Sequence, residues 1–159
     1  MKDLFNELKA VTAFETKLLA GTNTTLKGIA VDRAGYDSAT AVVSVGDSPE
    51  TLAAGLYIQP KLMESDTTVD GDFTAVAEAD MLGGSAQTSG TDGEIALINA
   101  PTEDKLVYMA GYRGNKRYLR VDFVLVGANT TGASGSAVIL LSHASKSPLG
   151  ACAAGAALT

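Results

Sequence analysis

The stretch from Gly111 to Val126 constrains this chain more than any other, because it joins a glycine-punctuated basic turn to a run with a period of two. Leu119, Val121, Phe123 and Leu125 alternate with Tyr118, Arg120 and Asp122. Successive side chains of extended backbone point to opposite faces, so the run predicts a half-buried strand of an antiparallel sheet with the four apolar residues inward. A slip of one residue would exchange the faces, which leaves no second consistent partition. Ahead of the strand, Gly111, Tyr112, Arg113, Gly114, Asn115, Lys116 and Arg117 read as a turn. Arg113, Lys116, Arg117 and Arg120 are four of the 12 basic residues in a chain of net charge −6. Basicity this local has two readings: a hairpin whose charges keep a sheet end soluble, or a docking surface for an acidic neighbour, which arginine favours because its planar fork can hold a carboxylate with two hydrogen bonds.

Short alternating segments recur elsewhere: 27–33, 39–45, 51–64, 73–79, 93–99, 106–112 and 136–142. Turn residues separate them, and residues 127–135 read as a flexible hairpin loop. Pro60 cannot donate to a ladder and marks an edge or a bulge. The pattern predicts an all-β chain, an antiparallel β-sandwich that is jelly-roll-like, with an N-terminal arm. At 159 residues the chain fits one domain, divided as arm 1–20, sandwich 21–149 and small-residue tail 150–159. In the arm, Leu4, Leu8, Val11 and Leu18 recur near helical spacing, while Thr12, Phe14 and Thr16 alternate as in a strand, so both readings stand. Seventeen glycines and no tryptophan imply a thin core that association would reinforce. Leu4, Phe5, Leu8, Val11 and Phe14 are the apolar residues the arm would lay on a neighbour. Each would contribute roughly 1.5 to 3 kcal/mol before ordering costs.

Several kinds of chemistry find little support. One cysteine, Cys152, and one histidine, His143, rule out an internal disulfide and zinc sites built from those residues. His143 sits beside Ser142 and near Ser145, which suits a surface histidine better than a triad base. Cys152 lies among small residues with nothing nearby to lower its pKa. The glycines at 127, 132 and 135 open no helix, so no phosphate loop is present. The acidic run Glu64 to Asp72 departs from the calcium-loop template and reads as a solvated turn. Asn23-Thr24-Thr25 and Asn129-Thr130-Thr131 match glycosylation sequons but read as polar loops. Net negative charge argues against nucleic acid, and no apolar run reaches the roughly 20 residues of a membrane span. No catalytic, cofactor or metal site is expected, and the chain reads as made in the cytoplasm.

Five segments occur in a telling order: 34–39 after Val31-Asp32, then 61–66, 73–77, 111–120, and finally His143-Ala144 with Pro148-Leu149. In that order they resemble a family of small proteins encoded in the head-structure gene blocks of tailed bacteriophages and prophages. The Gly-Tyr-x-Gly-x-Lys-Arg-Tyr-x-Arg block is the most specific element. The resemblance implies a virion structural protein without activity or cofactor, a capsid decoration (cement) or head-fibre base component. It would sit on the capsid surface, bind the major capsid protein, and associate with itself, as a trimer where capsid subunits meet. Neck, tail or fibre proteins are the nearest alternative. A carbohydrate-binding sandwich is the next, although it would use exposed aromatics, and here the five tyrosines are scattered.

Overall fold

A computed structural model describes residues 7–145. In chain order the strands are β1 (Leu8–Leu26), β2 (Val31–Asp32), β3 (Tyr36–Val45), β4 (Tyr57–Ser65), β5 (Thr74–Ala75), β6 (Met81–Leu82), β7 (Val107–Tyr112) and β8 (Tyr118–Ala144). Single 3-10 turns at Asp70–Asp72 and Glu78–Asp80 and a four-residue helix, Ala86–Ser89, complete the elements. All pairings are antiparallel, and one curled sheet of eight strands runs β5-β4-β8-β3-β7-β6, with β1 and β2 also paired to β8. The all-β, sandwich-like architecture expected from the alternation is the one observed.

β8 is the spine. Its first half, Tyr118 to Val126, pairs with β4, and its second, Gly135 to Ala144, pairs with β3. β1 runs beside both halves, from Leu8 opposite Ser142 to Leu26 opposite Phe123, with four register shifts on the way. Leu119, Val121, Phe123 and Leu125 are buried as the alternation requires, and Ala137, Ile139 and Leu141 continue the inward face. Ile58 and Leu62 of β4 and Ala39, Ala41, Val43 and Val45 of β3 share their core. On the opposite face Tyr118, Val124 and Val126 are half-buried, but Arg120 and Asp122, expected to be on the solvated side, are buried.

Residues 127–135 are not a hairpin loop. The chain keeps its direction and bends at Gly127 and Gly132, whose φ angles of 77° and 73° only glycine adopts cheaply. Polar side chains hold this corner. Asn23 Oδ1 accepts from Gly127 N at 2.9 Å, Asn129 Nδ2 donates to Val126 O at 2.9 Å, and Glu50 Oε1 accepts from Thr131 N at 2.5 Å. Both sequon asparagines therefore lie in paired strands rather than in loops, and Asn129 is buried.

The division at residue 20 is also corrected. β1 passes through it unbroken and pairs within its own chain, and its threonines and Val11 favour extended backbone over helix. Phe14 packs on Phe123 with ring centroids 4.5 Å apart, so it is a core residue and not an intermolecular one. Leu8 and Val11 are half-buried along the same strand. Leu4, Phe5 and the tail 150–159 lie outside the described residues.

Other segments shrink. The 27–33 strand is reduced to β2, 73–79 to β5, and 51–64 starts only at Tyr57. Residues 93–98 follow β4 through isolated bridges. The N–H groups of Ile58 and Leu62 point to that segment, so the donor Pro60 lacks would face it too, the edge position proline tolerates. Among the described residues no helix is long and apolar enough to cross a membrane.

Candidate functional site

The basic turn is built over Tyr112, the last residue of β7. Its buried hydroxyl donates to Glu64 Oε2 at 2.5 Å and accepts from Lys116 N at 2.9 Å. Burial first and the Glu64 carboxylate second push the Tyr112 pKa well above its ordinary value. The ring fits under the turn because Gly114 has no side chain, since a Cβ there would lie 2.6 Å from Tyr112 Cζ. Above the ring, the Arg33 guanidinium sits 5.1 Å from its centre, and Arg33 Nε donates to Lys116 O at 2.7 Å.

Each cation of the turn then has its own partner. Lys116 Nζ meets Asp66 Oδ2 at 2.6 Å. The Arg117 fork takes Asp32, with NH2 2.7 Å from Oδ2 and Nε 3.1 Å from Oδ1. Arg120 is buried, with NH2 donating to Asp122 Oδ2 at 2.8 Å and NH1 to Asp70 Oδ1 at 2.6 Å, while its guanidinium lies 4.2 Å from the Phe73 ring centre. Asp122 Oδ1 also accepts from Gly28 N at 3.0 Å. Arg113 differs, because its side chain is exposed and Nε donates to a carbonyl, Ala79 O, at 2.6 Å.

Of the four basic residues, Arg113, Lys116 and Arg117 are exposed, while burial takes Arg120 off the surface. Lys116 and Arg117 hold their carboxylates in exposed ion pairs within the chain, and of the four Arg113 alone has no carboxylate partner among the described residues. The acidic run supplies the counter-charge of Lys116 and one of the two that hold Arg120, while Asp32 and Asp122 come from β2 and β8. Asp70 is held below its usual pKa by hydrogen bonds from Lys27 and then Arg120, Asp66 by Lys116, and Asp32 by Arg117. Glu50 at the corner is raised by burial, but backbone hydrogen bonds from Thr131 and Gly132 outweigh this and leave it lowered. Asp72 Oδ2 instead accepts from Thr67 Oγ1 at 2.5 Å. Among the described residues no three His, Cys, Asp or Glu side chains converge to hold a metal ion.

Arg120 and Asp122 share a strand face two residues apart, a pairing the sequence does carry. The partnership of Asp66 with Lys116 and of Asp32 with Arg117 spans 50 and 85 residues and has no local signal. His143 is exposed with φ 54°, and Ser142 Oγ lies 3.2 Å from its Nδ1. No carboxylate among the described residues orients that ring. Cys152 lies outside them.

A second feature escaped the sequence reading. Leu82, Leu106, Val107 and Met109 are exposed beside one another on β6, β7 and the approach to β7. A groove of about 500 Å³ runs between Leu106 to Met109 and the 95–97 segment. The signal was the uncharged run Leu106 to Tyr112, which the alternation assigned to a strand without showing which edge would be open.

No family model matches the chain, and no curated protein does. Solved structures are similar in part. The SPBc2 prophage-derived protein YomS aligns over 86% of this chain and 94% of its own at 15% identity, with a TM-score of 0.48. The structure of the infectious bursal disease virus Gx strain aligns over 89% of this chain at 12% identity, with a TM-score of 0.46. The chain spans about a third of the latter, 33% of its length.

Proposed function

We propose that this protein is a non-catalytic virion structural protein, a capsid decoration (cement) protein that binds the major capsid protein on the outside of a phage head, as a trimer where capsid subunits meet. One observation carries the reading. The Gly111 to Arg120 block, on which the resemblance to phage head-block proteins rests most heavily, is the place where the chain locks onto itself. Tyr112, Lys116, Arg117 and Arg120 tie β7, β8 and β2 to the 64–73 segment through Glu64, Asp66, Asp32, Asp70 and Asp122. A block used this way specifies a rigid body rather than a reaction. Rigidity suits a protein that binds a shell, because little conformational freedom is lost on docking. The net charge of −6 keeps the free chain soluble until it meets its site.

The test is addition of the purified chain to phage heads that lack it, followed by cryo-electron microscopy. The reading expects ordered density for the sandwich on the outer face of the head, three copies around each binding site. Density confined to the neck or tail, or no bound protein, overturns it.

A further inference from the structure

The outer edge of β7 is open along part of its length. In the β3–β7 ladder, Val45 N donates to Leu106 O, so by alternation the N–H and C=O groups of Tyr108 and Ala110 face β3 and those of Val107, Met109 and Gly111 face away. β6 covers that outer side only opposite Gly111 and Tyr112. No backbone partner among the described residues reaches the outward groups of Val107 and Met109. Edge strands of lone proteins are normally blunted by lysine, proline or a bulge. From Leu106 to Tyr112 this strand has no charge, no proline and no register shift. Exposed Leu106, Val107, Met109 and Leu82 flank the open backbone, and the 500 Å³ groove leaves room beside it.

We propose that this edge binds the same edge of a second copy, joining two sandwiches by antiparallel β7–β7 pairing about a twofold axis at Tyr108. The register follows from what is free. Lys105, with φ 57°, ends the extended run on one side, and β6 with Gly83 and Gly84 after it closes the other as far as Ala110, which leaves Val107 to Met109. Centring on Tyr108 sets Val107 of each copy opposite Met109 of the other, so every outward N–H and C=O of the two residues gains a partner. Charge agrees with that arrangement. Antiparallel pairing brings Arg113, the turn cation without a carboxylate, to the end of the second copy that carries Glu103; at that end Lys105 is paired with Asp47, and the buried Asp104 accepts from Ser48 N. The contact is isologous and needs no capsid, so it can hold whether or not the cement reading does. On a shell it would link neighbouring trimers.

Sedimentation equilibrium of the full chain tests it. The wild type should be a dimer or larger assembly whose dissociation constant rises at least about tenfold in Met109→Lys, because the contact would bury an unpaired ammonium. Met109 is exposed, so the variant's melting temperature in dilute solution should match the wild type. A register test accompanies it. With Cys152 replaced by serine, Tyr108→Cys should form an intermolecular disulfide, since a non-hydrogen-bonded pair brings the Cβ atoms closest, and Val107→Cys should not. A wild type that stays monomeric at high concentration, an association unchanged by Met109→Lys, or cross-linking through position 107 in place of 108 overturns the proposal.

Discussion

Arg120 shows how far one residue can depart from what its neighbours in sequence suggest. It lies in a cluster of cations on an alternating strand, yet it is buried against Phe73 with carboxylates on either side. Removing one member of such a pair strands the other charge in the interior. Arg120→Ala or Asp122→Ala should therefore cost about 3 to 5 kcal/mol in urea unfolding, while Arg120→Met combined with Asp122→Leu should cost far less than the sum. Equal and additive costs would mean that the two charges do not depend on each other. The remaining carboxylates set the response to acid. Asp32, Asp66, Asp70 and Glu50 all have folded pKa values below their ordinary ones, so their contribution is complete above the unfolded range near about 4 and is lost as pH falls through the folded values. Tyr112 acts at the other limit, where its raised folded pKa means stability is lost as pH climbs past the unfolded value of about 10. The urea midpoint should be flat near neutrality and decline at both extremes. A midpoint unchanged down to pH of about 3 would contradict these assignments.

At the scale of elements, the strand from Tyr118 to Val126 was legible because four apolar residues at a strict period of two leave one choice of face. Its continuation was not. Gly127 to Gly135 has the composition of a turn, and only the partners of its backbone, β1 alongside and Glu50, Asn23 and Asn129 at the bend, make it a corner within one strand. The bend itself is testable. At Gly132 φ is 73° and a Cβ would lie 2.6 Å from Leu19 O, so Gly132→Ala should destabilise by about 2 kcal/mol or more. A neutral alanine there would favour a floppy loop. The arm is hard to read for a related reason: a bulged strand has neither a clean period of two nor one of 3.6, and no local spacing shows that Phe14 meets Phe123. Phe14→Ala should cost about 3 to 5 kcal/mol, and removal of residues 2–19 should prevent folding rather than release a stable domain. A folded, monomeric deletion variant would restore the arm reading.

Over the whole molecule, the antiparallel all-β class could be read from the spacing of turns and alternating runs, since those are local properties. The candidate site could be read only in part. The residues of the basic turn were visible, but their engagement with Asp32, Glu64, Asp66 and Asp70 depends on contacts across the sheet that no spacing encodes. The open edge of β7 is likewise a property of topology, because a strand is an edge only when its neighbours have been placed. A rigid component of a virion shell should be found in quantity by mass spectrometry of purified particles from cells carrying its gene. This chain should be present there in copy numbers comparable to the major capsid protein; its absence, or only the few copies of a neck or tail ring, would overturn the proposed role.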